Sequence, residues 1–215
     1  MPIRRRTTIL TTQPGGIMQA SKQTLAFSFL PTVLSIAALL CLCATHLCAS
    51  PEPELSPVAK LLDRDLSSLE SVLVPLAETM PADKYDFAPS GGEFKGVRTF
   101  AQQISHTAAC INTVAAAVLD EKLAPELGSG EYGPSSLKTK EDLVAYLKNA
   151  FTYAHSAMAK MTAENMTDEV QAWWGKSPRL SMANAAMWHS FDHYGQLVLY
   201  LRMNGIVPPA SRPKQ

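Results

Sequence analysis

The chain reads as an all-α protein, a four-helix bundle with a long connector between the third and fourth helices. Three observations lead there. Four stretches of about 20–26 residues repeat apolar side chains at helical spacing. Pro/Gly-rich segments separate them, and no alternating pattern of useful strand length appears anywhere.

The first helix fits Val58 to Met80. Ser56 stands as its N-cap and Pro57 at the first helical position, where a missing N–H costs nothing. Leu61, Leu62, Leu66, Leu69, Leu73 and Leu76 form its apolar stripe, and Pro75 should kink the last turn or end the helix early. Residues 81–96 are irregular, punctuated by Pro81, Pro89, Gly91, Gly92 and Gly96; Tyr85 and Phe87 are expected to anchor this crossing. A second helix, about Val97 to Lys122, carries an apolar ridge of Val97, Phe100, Ala101, Ile104, Ala108, Ile111, Val114 and Val118. A second stripe on it, Gln103, His106, Cys110, Thr113 and Ala117, is small or polar.

After a Gly/Pro/Ser loop at 123–137, Thr139 and Asp142 make a capping-box-like start to a third helix that reaches about Met161. Leu143, Leu147, Ala150, Phe151, Ala154 and Met158 face inward on it. The connector, 162–180, contains Trp173-Trp174-Gly175. Trp173 and Trp174 are expected to cap the bundle end, with a lid over a pocket as the other reading. The fourth helix, Ser181 to Asn204, stops at Gly205, with Pro208 and Pro209 beyond.

Charge is unevenly distributed. Residues 1–50 hold Arg4, Arg5, Arg6 and Lys22 and no acid; the rest carries fifteen basic residues against nineteen acidic ones. A mildly acidic domain with no basic run excludes nucleic-acid binding by counterion release. The apolar run from Leu25 to Leu47, behind Lys22 and ahead of Ala49-Ser50, makes residues 1–50 a signal peptide. Translation from Met18 would give it an ordinary basic start. Pro51 opposes cleavage after Ser50, so an uncleaved membrane anchor is the alternative. Residues 51–57 then form a Pro-rich linker, 58–209 the bundle and 210–215 a tail. The protein is expected to be exported, periplasmic or secreted, and to touch a membrane only through an uncleaved N-terminal segment. Cys41, Cys43 and Cys48 belong to that segment, leaving Cys110 alone in the bundle and no internal disulfide.

Chemistry concentrates on the fourth helix. Met182, Ala185, Ala186, His189, His193, Gln196, Leu197 and Tyr200 share one face, and the two histidines stand one turn apart. Their rings can converge on one metal ion, or be satisfied separately by backbone carbonyls or by Asp192. Spacing alone leaves both open. His106 adds a third imidazole on the small-polar stripe of the second helix, where Ala109 and Cys110 leave room for a cavity. Three histidines with a fourth position open is the ligand count of a catalytic divalent site, which would lower the pKa of a bound water or thiol. Gln103 and Gln196 lie one turn from the histidines and Asp192 between two of them, as candidates for supporting hydrogen bonds. Cys110 is a small buried thiol or a further ligand; His155 is an edge histidine. No carboxylate has obvious general-base placement, so the catalytic group stays unknown beyond the metal-bound water.

The run Met80-Pro81-Ala82-Asp83-Lys84-Tyr85-Asp86-Phe87-Ala88-Pro89, the segment Phe100-Ala101-Gln102-Gln103-Ile104-Ser105-His106, and the stretch from His189 through Gln196 to Arg202 resemble, in order, three motifs of the DinB-like (DinB/YfiT-type) superfamily. The resemblance covers about residues 56–209. It implies an antiparallel four-helix bundle in which His106, His189 and His193 hold a divalent metal ion, zinc, nickel or iron. It further implies either thiol S-transfer with a low-molecular-weight thiol or metal-dependent hydrolysis. Export separates the protein from a cytosolic thiol and favours a hydrolase or a family member of unassigned chemistry; the expected reaction class is hydrolysis or group transfer on a small-molecule substrate. The alternative is a non-catalytic metal-binding or structural bundle, as a monomer or a homodimer.

Overall fold

The computed structural model describes residues 54–128 and 130–213. The expected signal or anchor segment, 1–50, lies outside the described residues. Four helices account for most of the chain: α1 (Pro57–Thr79), α2 (Phe100–Leu119), α3 (Lys140–Met158) and α4 (Arg179–Met203). Helices α1 and α2 each pack against both α3 and α4. Leu66, Leu69, Leu73, Phe100, Ile104, Ile111, Leu147, Phe151, Leu197 and Leu201 fill the core between them. None of the described helices is long and apolar enough to cross a membrane.

Ser56 caps α1 as its sequence suggests: its hydroxyl oxygen accepts the Ala59 N–H at 3.0 Å. The same hydroxyl donates to the Met161 carbonyl at 2.5 Å, tying the start of α1 to the end of the α3 segment. The helix does not end early at Pro75 but runs on to Thr79. Proline deprives the Ser71 carbonyl of its partner, and Ser71 is exposed, so water can replace the lost donor. Leu61 also departs from expectation, being 52% exposed, while Leu62 beside it is buried.

The first crossing is anchored by its aromatics. Tyr85 donates its hydroxyl to the Ala77 carbonyl at 2.7 Å and meets the Phe100 ring edge-to-face. The carbonyls of Tyr85 and Phe87 accept the N–H groups of Ala101 and Phe100, which would otherwise be orphaned at the start of α2. Helix α2 is shorter than its periodicity suggests. A capping box between Thr99 and Gln102 sets its start, leaving Val97 outside and exposed, and Asp120 in the left-handed region (φ 56°) ends it. At α3 the Thr139–Asp142 capping box forms as read from the sequence. The α-helix stops at Met158, because Lys160 and Met161 bond to carbonyls three residues back, tightening the last turn.

The connector holds a structure that the sequence reading missed. Strands β1 (Glu169–Ala172) and β2 (Gly175–Pro178) pair antiparallel, with Val170 opposite Ser177 and Ala172 opposite Gly175. Only Val170 and Ala172 of β1 point into the core, so the alternation is too brief to register as a strand pattern. Trp173 and Trp174 form the two-residue turn. At the far end of α4, Gly205 (φ 73°) completes a Schellman motif: its N–H bonds to Arg202 and that of Ile206 to Leu201.

Candidate metal centre

His106 lies two turns into α2, on the face that α4 packs against. His189 and His193 lie one turn apart on α4. His106 and His193 are buried and His189 is half-buried. The structure brings the three rings together edge-on. His189 Nε2 is 3.3 Å from His106 Nε2 and 3.2 Å from His193 Nε2, and one nitrogen from each ring lies within 4.8 Å of the others.

The hydrogen bonds behind the rings fix which nitrogens face inward. His106 Nδ1 is 3.0 Å from the Glu131 carbonyl, which can only accept, so Nδ1 carries the proton. His193 Nδ1 donates to Gln103 Oε1 at 2.5 Å. Gln103 Nε2 donates in turn to Gln196 Oε1 at 2.7 Å, and Gln196 Nε2 to Asp192 Oδ2 at 3.1 Å. In the neutral rings of His106 and His193, Nε2 is therefore a bare lone pair. One hydrogen on His189 Nε2 can serve only one of them well. Three neutral imidazoles thus leave a lone pair facing a lone pair, and a cation among them removes the conflict.

The spacing also suits one. Nitrogens bonded at about 2.0–2.1 Å to a tetrahedral cation lie about 3.3–3.4 Å apart. The donor set therefore fits a divalent metal ion, and the three histidines could hold one.

Electrostatics favour the ligating, neutral form. Burial pushes all three histidines below their ordinary pKa. His193 falls furthest, to about 4, because the neighbouring imidazoles His189 and His106 add to the cost of charging a buried ring.

A cavity of about 410 Å³ opens beside the site, lined by His106, Ala109, Cys110, Thr113, Gly130, Glu131, Trp173, Trp188 and His189. Small residues on α2 make the space, as the polar stripe suggested. Cys110 places its Sγ 3.7 Å from His106 Nε2, outside the three-nitrogen cluster, and burial pushes its thiol up to about 11. Trp173 sits over the pocket rather than simply capping the bundle, its ring 6.3 Å from that of His189.

Asp192 touches no ring directly; it reaches His193 through two glutamines. His155 lies elsewhere, with its Nδ1 2.6 Å from Asp63 and its Nε2 3.1 Å from Glu70 on α1. Sequence reasoning missed the loop that orients His106. Glu131 supplies the carbonyl, and its carboxylate is held by Arg98, which keeps it well below the usual carboxylate range. No local pattern in 123–137 signals that contact. Trp188 gave a signal that went unread, standing beside His189 on a helix.

The model of the DinB superfamily matches residues 65–197. Among solved structures, the DinB-like protein YjoA of Bacillus subtilis is 18% identical, over 71% of this chain and 99% of that one, with a TM-score of 0.56. A DinB-like protein of Bacillus cereus ATCC 10987 is 14% identical, over 69% and 93% of the two chains, also with a TM-score of 0.56. These likenesses are of fold. No curated protein matches the chain. With the superfamily's model spanning most of the bundle and all three histidines, the chain belongs to the DinB superfamily.

Proposed function

We propose that the protein is an exported, metal-dependent enzyme that hydrolyses, or transfers a group to or from, a small molecule, with His106, His189 and His193 as the metal ligands. The observation that carries this reading is the pairing of three inward Nε2 atoms with an adjoining cavity. A purely structural metal is normally enclosed by four protein ligands, whereas catalytic sites keep a position free. Three imidazoles and a half-buried His189 at the cavity wall suit the second pattern. A divalent cation there would supply Lewis acidity to whatever occupies that position.

The remaining parts of the proposal belong to the chain itself. Gln103 and the Glu131 carbonyl hold two rings in their ligating tautomer. Glu131, ionised and bound to Arg98, is a weak base, so proton transfer by a nearby carboxylate is not part of the scheme. The bundle is read as antiparallel. Export rests on the basic, apolar segment 1–50, with retention as a membrane anchor if it is uncleaved. Zinc, nickel and iron all suit imidazole ligands.

Metal content of tag-free protein, followed by the absorption spectrum of its cobalt form with and without azide, tests the reading. One metal per chain and a spectrum that azide changes are expected. A saturated, azide-insensitive site would leave a non-catalytic metal-binding bundle, and no stoichiometric metal would overturn both.

A further inference from the structure

We infer that the 410 Å³ cavity beside the histidines binds a flat, uncharged aromatic group whose single donor atom faces His106 and His189. This rests on the metal-site reading above and names the class of molecule that the site takes.

Size sets the first bound. A dry cavity of about 150 Å³ accommodates benzene, so this one, more than twice that size, has room for an aromatic ring with a substituent. The walls set the second. Trp173 comes from the hairpin turn and Trp188 from α4, and their rings lie 6.3 Å and 5.8 Å from that of His189. Both indoles are about half exposed, at 51% and 56%, large apolar surfaces left beside the one polar cluster of the cavity. They can pack on a ring that lies between them and reaches toward the histidines.

Directed hydrogen bonds are scarce in the same walls. Ala109 offers a methyl group. Thr113 already donates its hydroxyl to the Ala109 carbonyl of its own helix at 2.9 Å. The thiol of Cys110 is a weak donor well suited to the edge of a ring. A sugar or peptide would leave its polar groups unmatched here, at a cost of about 1–3 kcal/mol for each.

Charge excludes the other classes. The one ionised side chain in the lining is Glu131, and Arg98 already pairs its charge, so the walls keep no free charge to hold an ionic body. A divalent ion on three neutral ligands would repel a cationic one. The ligand's body is therefore neutral, and its polarity is confined to the atom nearest the imidazoles.

Calorimetric titration of the zinc-loaded, full-length protein with imidazole and with 4-phenylimidazole tests this, since the two share a donor and differ by a ring. The phenyl compound should bind about tenfold tighter, the effect of one aromatic stacking contact. It should also quench the protein's fluorescence, because all three tryptophans of the chain, at 173, 174 and 188, lie at or next to the cavity. Trp173→Ala with Trp188→Ala should abolish the preference while zinc content stays at one per chain. Equal affinities in the zinc-bound wild type, or a preference that survives both substitutions, would overturn the inference and leave the metal reading standing. A phenyl preference in protein that retains no zinc would support the cavity's selectivity and overturn the metal reading instead.

Discussion

His193 Nδ1 and Gln103 Oε1 stand 2.5 Å apart, joining α4 to α2 directly behind the three-nitrogen cluster. Both side chains are almost fully buried, so the bond is made in an environment where its loss is not repaired by water. Gln103→Ala should therefore free the His193 ring to rotate or change tautomer. The expected outcome is a drop in metal affinity of about 10–100-fold with the helical content unchanged. Chelator competition followed by circular dichroism measures both. Gln196→Ala, one link further from the ring, should cost less.

Gly133 lies in the loop that orients His106, two residues beyond Glu131. It sits at φ 69°, and a Cβ there would lie 2.5 Å from the Tyr146 hydroxyl, which is itself fixed by donating to the Leu127 carbonyl at 2.7 Å. Gly133→Ala should destabilise the fold by about 1–3 kcal/mol through strain alone. It should also weaken metal retention, since Glu131, two residues earlier, loses its seat. Urea titration in chelator separates the first effect from the second, which appears only with metal present.

His155 clamps α3 to α1 between Asp63 and Glu70 and lies outside the three-histidine cluster. His155→Ala should lower stability by about 1 kcal/mol, the clamp being partly exposed and so discounted for solvent screening. Metal stoichiometry and affinity should be those of the wild type. A loss of metal in this variant would mean that the site extends across the bundle.

Acid should act on the metal-free protein through His193. Its folded pKa, about 4, lies below the ordinary histidine value of 6.5, so between these limits the unfolded chain binds the extra proton. Stability from keeping this ring neutral is fully present above about pH 6.5, falls as the pH drops toward 4, and is gone below it. His193→Gln, neutral throughout, should flatten that part of the curve of melting temperature against pH.

How far the sequence revealed this arrangement depended on the range of each interaction. Ser56, Thr139 with Asp142, and Gly205 mark helix ends through contacts within a few residues, and all three could be read directly. The stripe containing His106 and the i, i+4 pair of His189 and His193 were legible because periodicity puts residues on a face. That these faces meet at Nε2 distances of 3.2–3.3 Å is a tertiary fact, which spacing along the chain does not encode. Glu131 lies 25 residues from His106 and acts through its backbone carbonyl, a group that every residue carries, so its identity gave no signal. Four-residue strands with only one or two inward side chains each are likewise too short to stand out from a loop.

X-ray absorption at the metal edge of zinc-loaded protein tests the central claim most directly, because it counts and identifies the atoms bound to the ion. One zinc per chain is expected, with three imidazole nitrogens at about 2.0–2.1 Å and an oxygen or other exogenous donor in the remaining position. His106→Ala should remove one imidazole from that shell or abolish binding. A shell without histidine, or one unchanged by His106→Ala, would contradict it.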